Sequence, residues 1–366
     1  MNVLQIASGD LWAGAEAVIY QLIKGLRRMD NCAITAVFLN NGKLARDVQS
    51  LGVNVFILDE RTRSFASLLK NFRQIVRTIR PEIIHSHRYK ENLLSYLASR
   101  GFQGRQLIST QHGMPENTQV RRSFKFRMIC SLNFKLLSRY FHSVVAVSEE
   151  MKTSMVVNHG FDQKKITVIY NGIAVPPSTI RPHHGRLVIG SAGRLFPVKD
   201  YDLLVDIAAK AEKKCDTVDF LLAGEGPMKE KLIEKIGQLG LEKRFTLLGH
   251  VDDMASFYQK LDLYINTSVH EGIPMSVLEA MSHGLPVIAP RVGGFPEIVT
   301  DSFQGFLVSN RDPEVFADKC ILLSNDVLLR SRMSSAARQR IVQSFSSEAM
   351  CDGYYSLYEK ILSARA

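Results

Sequence analysis

Two glutamates eight residues apart, Glu271 and Glu279, lie in the stretch of this chain best suited to chemistry, YINTSVHEGIPMSVLEAMSHG at 264–284. An apolar run (Leu263, Tyr264, Ile265) breaks into the polar loop Asn266-Thr267-Ser268. The chain then turns through Glu271-Gly272 into a helix expected to start at Pro274. Proline suits a first helical turn, because the amide it lacks would have found no partner there. Gly272 lets a backbone or a ligand approach closely. The free amides and dipole of such a helix N-terminus suit a phosphate. Glu279, flanked by Val277, Leu278, Ala280 and Met281, is poorly placed for a solvated face. Both carboxylates are therefore expected to meet a polyhydroxyl ligand. A second group, Gly193-Arg194-Leu195 with Lys199-Asp200, follows an expected strand at Leu187–Ala192. A guanidinium can grip two phosphate oxygens at once, and an ammonium adds a point charge. In the first half, His85-Ser86-His87-Arg88 and Thr110-Gln111-His112-Gly113 end two expected strands, where open α/β sheets bind ligands. No third ligand stands near His85 and His87, and no metal is expected there.

HEGIPMSVLEAMSHGLPVIA, followed by Pro290-Arg291-Val292-Gly293-Gly294 and Glu297, resembles the Glu-x7-Glu signature of family 4 retaining glycosyltransferases. The resemblance covers nearly the whole chain and is most specific over residues 188–300. It implies two Rossmann-like domains facing across a cleft, the GT-B fold. It further implies that Arg194, Lys199, Gly14 and the segment Gly272-Ile273-Pro274-Met275-Ser276 hold the diphosphate of a nucleotide sugar. Glu271 and His112 would reach the donor sugar, and Glu279 the ribose. The turns at Gly224-Glu225 and Gly249-His250-Val251 would border the base. The family's opening loop commonly has two glycines before Ala-Glu, whereas this chain reads Ala13-Gly14-Ala15-Glu16. Glu16 serves equally well as a site residue or as a first-turn acid favoured by the helix dipole. Asn171-Gly172-Ile173 resembles the family's Asn-Gly-Ile turn, with Ala174 where Asp is common. Asp200-Tyr201-Asp202 resembles a metal-binding Asp-x-Asp of the other glycosyltransferase fold. In this chain it begins a helix and is read as a structural cap. No metal or other cofactor is expected, and UDP-sugar is favoured over GDP-sugar.

The elements that must position these residues alternate. Strands are expected at Val3–Ala7, Ile34–Leu39, Val53–Leu58, Ile83–His85, Leu107–Thr110 and Val144–Val147, with helices such as Phe65–Ile79 and Tyr89–Ser99 between them. Such alternation implies a parallel sheet wound by helices. It lacks Gly-x-Gly-x-x-Gly after the first strand, which weighs against a dinucleotide-dependent dehydrogenase. The expected division is a first domain over 1–172, a Pro-rich linker over 173–185 and a second domain over 186–347. The resemblance implies that a last helix, 348–366, packs back on the first domain.

At 366 residues, 46% hydrophobic and 22% charged, the composition is that of a globular protein of two domains. Five scattered cysteines read as reduced thiols. The start MNVLQIASGD lacks the pattern of a signal peptide. The net charge of +10 is lopsided: residues 1–180 hold 24 Lys and Arg against 12 Asp and Glu, while the remainder is slightly acidic. Within that half, residues 118–141 hold six cations (Arg121, Arg122, Lys125, Arg127, Lys135, Arg139), a broad apolar set and no acid. Two readings stand: a domain helix with a solvated basic face, or a helix lying on an anionic membrane. A nucleic-acid partner would explain the charge but not the glutamates, and none is expected. The expectation is a retaining hexosyl- or N-acetylhexosaminyl-type transferase. It would act on a lipid-linked or polysaccharide acceptor in bacterial envelope glycan synthesis, in the cytoplasm and peripheral on the inner face of the membrane. The alternatives are a nucleotide-sugar epimerase or hydrolase of the same fold, or a transferase acting on a soluble phosphorylated acceptor.

Overall fold

The structure, a computed structural model, describes residues 1–9, 14–102, 104–113, 124–177 and 185–364, apart from the side chains of 124–127. The chain divides into two compact units, Met1–Ala174 with Ser347–Ala366, and Val175–Ser346.

Unit 1 begins with β1 (Asn2–Ala7), α1 (Gly14–Leu26), β2 (Ala33–Phe38), α2 (Lys43–Ser50) and β3 (Asn54–Ile57). It continues through α3 (Phe65–Ile79), β4 (Ile83–Ser86), α4 (Tyr89–Ser99) and β5 (Gln106–Gln111). Then come α5 (Phe124–Tyr140), β6 (Ser143–Ala146), α6 (Glu149–His159) and β7 (Ile166–Val168). Its strands form one parallel sheet in the order β3-β2-β1-β4-β5-β6-β7. Strands buried on both faces need nearly continuous apolar runs, and β1 supplies one. One face packs Leu4, Ile6, Phe72, Ile84 and Phe141; the other packs Ile19, Ile23, Phe38 and Leu44. Helix ends are set locally: Ser64 caps α3 by accepting from the Ser67 amide (3.3 Å), and Arg80 closes it in the left-handed region, φ 51°.

Unit 2 repeats the plan with β8 (Leu187–Ala192), α7 (Tyr201–Lys214), β9 (Val218–Ala223), α8 (Lys229–Gln238) and β10 (Phe245–Gly249). Next are α9 (Met254–Gln259), β11 (Leu263–Ile265), α10 (Met275–Ser282), β12 (Val287–Pro290) and α11 (Phe295–Ile298). β13 (Gly305–Val308), α12 (Pro313–Asn325) and α13 (Val327–Ser344) complete it. The parallel order is β10-β9-β8-β11-β12-β13. A last helix, α14 (Ser347–Ser363), belongs to unit 1 and lies along α1, where Gly25 makes room for the Cys351 thiol.

Both sheets thus have the doubly wound order, which reverses beside β1 and β4 in one and beside β8 and β11 in the other. The carboxyl ends of strands at such a switch are where this architecture binds ligands. Gly9, His87 and His112 follow β1, β4 and β5, while Gly193 and Asn266 follow β8 and β11. Among the described residues no helix is long and apolar enough to cross a membrane.

Candidate active site

In unit 2 the loop after β11 is fixed from several sides. The Asn266 side chain accepts from the Ser268 amide (2.8 Å), an Asx turn. Thr267 Oγ1 donates to the Lys199 carbonyl (2.9 Å). Arg311 donates to the carbonyls of Ser268 and Thr267 (both 2.8 Å) and to the Asp200 carboxylate (2.5 Å). The loop and the Lys199 segment are therefore one assembly. Within it the Glu271 carboxylate accepts from the Lys199 ammonium and from Ser268 Oγ (2.7 Å).

The Val-Gly-Gly run has a steric reason. The Gly294 amide donates to the Glu271 carbonyl (3.0 Å). A Cβ on Gly293 would overlap that carbonyl oxygen, and one on Gly294 would overlap the Gly272 oxygen. Gly272 itself would point a Cβ into open space. Its lack of a side chain therefore relieves no contact within the chain. Ile273 is buried beneath the loop.

Helix α10 begins at Met275, which corrects the expected start at Pro274. With ψ at 117° the proline is extended and stands at the cap. Its carbonyl accepts from the amides of Val277 (3.1 Å) and Leu278 (3.2 Å), and no side chain caps the helix. The first-turn amides of Met275 and Ser276 thus lie at the positive end of the dipole. Glu279, one face into the helix, accepts from the Tyr258 hydroxyl (2.8 Å). Burial raises its pKa, against the lowering effect of that hydrogen bond.

The turns after β8, β9 and β10 stack on one another. The Gly193 amide donates to the Ala223 carbonyl (3.0 Å), the Gly224 amide to the Gly249 carbonyl (2.7 Å) and the Leu195 amide to the Glu225 carbonyl (2.9 Å). Gly224, at φ 151°, leaves no room for a side chain against the Gly193 carbonyl. Glu225 pairs with Lys229 (2.9 Å), and His250 lies 3.2 Å from Asp252, with Val251 beside it. Arg194 is exposed, its guanidinium 5.2 Å from the centre of the Phe196 ring. Among the described residues it makes no ion pair, so the structure joins Lys199 to Glu271 but not Arg194 to either. Asp200 stands at the start of α7 without capping it through its side chain, a second correction: φ is 47° and the carboxylate turns to Arg311. Asp202 pairs with Lys231 (2.9 Å).

In unit 1 a buried network reaches His112 from the last helix. Gln5 Nε2 donates to the Tyr358 hydroxyl (3.0 Å), which leaves Gln5 Oε1 to accept from His87 Nε2 (3.0 Å). His87 Nδ1 is then the acceptor for His112 Nε2–H at 2.9 Å. Tyr358 donates to His85 Nδ1 (2.7 Å), His85 Nε2 to Thr110 Oγ1 (2.8 Å) and Thr110 to the Tyr354 hydroxyl (2.8 Å). These tautomers follow from the pairing, since each proton must have one owner. All three rings are neutral. Burial first, then the charge of Arg88, lowers the pKa of His112 to about 4. Burial, then His112, lowers that of His85 to about 3, and burial takes His87 well below the ordinary value. Every ring nitrogen of His85 and His87 has a partner, which accounts for the His-x-His spacing. His112 Nδ1 keeps a lone pair and has no protein partner among the described residues.

Gly14 is the first residue of α1 and not a loop residue; residues 10–13 of that loop lie outside the described set. Glu16, buried in the first turn, accepts from Arg88 (2.5 Å). Of the basic stretch, Arg121 and Arg122 and the side chains of Lys125 and Arg127 lie outside the described residues. Lys135 and Arg139 are exposed, as are Met128 and Leu132, while Phe134 and Leu137 are in the core.

Gln5, Tyr258, Tyr354, Tyr358 and Arg311 carry site geometry that sequence reasoning missed. Gln5 alone leaves a trace, a polar residue at the centre of an apolar strand.

Two doubly wound parallel sheets, each with its polar cluster at the carboxyl strand ends, are the two Rossmann-like domains of the GT-B fold. The Anabaena HepE protein, solved in complex with UDP, has this fold: TM-score 0.84 at 22% identity, covering 98% of this chain and 100% of that one. This chain belongs to glycosyltransferase family 4. The profile described as Glycosyltransferase Family 4 matches residues 12–175, and that of Glycosyl transferases group 1 matches residues 178–340. The UDP-Gal:alpha-D-GlcNAc-diphosphoundecaprenol alpha-1,3-galactosyltransferase of Escherichia coli is 26% identical over 333 residues, covering 82% of this chain and 84% of that protein. The poly(ribitol-phosphate) alpha-N-acetylglucosaminyltransferase of Staphylococcus aureus is 28% identical over 220 residues. That match covers 59% of this chain and 44% of the staphylococcal protein's length. Homologues named for capsular polysaccharide and lipopolysaccharide core biosynthesis place further relatives in bacterial envelope glycan synthesis.

Proposed function

We propose that this chain is a retaining glycosyltransferase that takes a sugar from a nucleotide-diphosphate sugar, UDP-linked in preference to GDP-linked. The acceptor is a lipid-linked or polysaccharide glycan of a bacterial envelope. The observation that carries the reading is the Lys199–Glu271 pair at the head of α10, fixed to the strand-end turns by Arg311 and Thr267. As the glycosidic bond breaks, negative charge grows on the leaving diphosphate. Lys199, Arg194 and the uncapped amides of α10 supply preorganised positive charge, which stabilises the transition state more than the ground state. The Glu271 carboxylate, oriented by Ser268 and Lys199, faces the positive charge that develops at the sugar carbon. Glu279 accepts from ribose hydroxyls, in exchange for its bond to Tyr258. His112, with Nδ1 left as an acceptor, takes a hydrogen bond from a hydroxyl of the donor sugar. These cations meet the charge on the diphosphate without a metal, so turnover should survive a chelator.

The reading includes attachment to an anionic membrane through residues 118–141, supported by the exposure of Met128, Leu132, Lys135 and Arg139 along one helix. Cosedimentation with anionic vesicles should fall as salt rises, because charge attraction is screened within ~10 Å at 0.1 M salt. Changing Arg121, Arg122 and Lys125 to Glu should weaken it further and leave donor turnover intact. The activity itself is tested by incubating the chain with UDP-glucose, UDP-galactose, UDP-N-acetylglucosamine and GDP-mannose, with and without undecaprenyl-diphosphate-linked sugar. Nucleotide release that depends on the acceptor supports transfer. Equal release without it assigns the chain to donor hydrolysis.

A further inference from the structure

Five arginines gather at the end of the unit 1 sheet opposite His87 and His112. Arg73 and Arg77 lie one turn apart on α3, Arg80 closes that helix, Arg100 follows α4, and Arg105 immediately precedes β5. Since β4 and β5 run parallel, Arg80 and Arg105 stand beside the amino ends of the two strands whose carboxyl ends lead to the histidines. Between them is a cleft of about 550 Å³ lined by Arg77, Arg80, Glu82, Phe102 and Arg105. The Phe102 ring is one of its walls. The guanidinium carbons of Arg105, Arg77 and Arg73 lie 4.1, 5.6 and 5.9 Å from the ring centre.

Among the described residues no carboxylate pairs with any of the five. Glu82 instead accepts from the Asn2 amide (2.8 Å). Arg73 donates once, to the Arg100 carbonyl (2.8 Å), and Arg105 once, to the Val76 carbonyl (3.3 Å). Attraction to the negative ends of α4 and α3, respectively, explains those two bonds. It leaves Arg77 and Arg80 unexplained. It also leaves Nε of Arg73, and Nε and Nη1 of Arg105, buried without a partner among the described residues. A buried donor left unmade costs roughly 1–3 kcal/mol, and more when charged. Like charges crowd the cleft as well: burial, then Arg80, lowers the pKa of Arg105. An anion with several acceptor oxygens removes both costs at once, and phosphate matches the guanidinium fork.

We propose that this cleft binds a phosphate group, carried by a phosphomonoester or phosphodiester, at a site separate from the transfer site. The test is a titration of the full chain with inorganic phosphate, read on the arginine Nε–Hε signals by NMR, against chloride at equal ionic strength. The signals of Arg73, Arg77 and Arg105 should shift saturably with phosphate alone. The paired substitution Arg77→Gln and Arg80→Asn should weaken that binding at least tenfold. Neither side chain holds a backbone group, and asparagine tolerates the left-handed conformation at position 80, so the melting temperature should not change. Shifts no larger than those with chloride, or equal affinity in the variant, would overturn the site. Pelleting with phosphatidylglycerol vesicles that the variant loses would assign the phosphate to a lipid headgroup. Equal pelleting, with phosphate binding confined to the wild type, would assign it to a soluble carrier.

Discussion

Mild acid should loosen unit 1 from the inside of its sheet. His85 is fully buried and its pKa is about 3 against an ordinary 6.5; that of His112 is about 4. Between those values the unfolded chain binds protons that the folded chain refuses. Stability is therefore complete above about 6.5 and is lost as the pH falls toward 4 and 3. From pH 7 to pH 5 each of the two histidines removes about 2 kcal/mol, and the pair about 4 kcal/mol, with His87 acting in the same direction. A domain holds only about 5–15 kcal/mol in total, so the effect is large. Hydrogen exchange of the β4 and β5 amides, corrected for the intrinsic pH dependence of exchange, reads the local opening free energy. It should drop by several kcal/mol between the two pH values, and by about two-thirds as much in His85→Gln. The imidazole C–H signals of His85 and His112 should not titrate above pH 5. An opening free energy constant to within about 0.5 kcal/mol, or titration of either ring near 6.5, would refute the neutral network.

Gly272→Ala should leave the melting temperature unchanged yet slow turnover, because its Cβ enters open space beside Glu271. Gly294→Ala should lower both, because its Cβ meets the Gly272 carbonyl; a stable, active Gly294→Ala enzyme would contradict that close approach of the two backbones. Arg311→Ala removes charge-assisted bonds worth roughly 1.5–3 kcal/mol each. It should destabilise unit 2 and raise the KM for donor, and a melting temperature equal to wild type would count against an anchoring role. Arg194→Ala and Lys199→Ala should each weaken UDP-sugar binding or turnover, while activity persists in EDTA. Strict dependence on added Mg²⁺ or Mn²⁺ would return Asp200 and Asp202 to consideration.

Much of the fold was legible because local pattern and tertiary need agree. The helices Phe65–Ile79 and Tyr89–Ser99 end where the sequence places them, and the apolar runs become parallel strands. The glutamate stretch was legible for the same reason: loop, glycine and helix start are consecutive. Pro274 misled by one position because its fixed φ suits both a cap and a first turn, and only ψ separates them. Arg311 was not legible, since it meets Thr267 and Ser268 only after β12 and β13 have intervened. The histidine network was hidden similarly, because Tyr354 and Tyr358 meet His85, Gln5 and Thr110 only once α14 is placed beside β1 and β4. The arginine cluster showed only as surplus charge in residues 1–180, because the sheet, not spacing, brings Arg105 to Arg77.

The central claim is that the Glu271 carboxylate, held by Lys199 and Ser268, acts on the sugar while other groups hold the nucleotide. The most direct measurement compares acceptor-dependent nucleotide release by wild type and Glu271→Gln at saturating donor, with UDP affinity measured in parallel. Loss of one preorganised electrostatic contact at a transition state costs about a hundredfold to a thousandfold in rate. The account predicts a fall of that size with UDP affinity nearly unchanged. Turnover close to wild type, or loss of UDP binding in step with turnover, would contradict it.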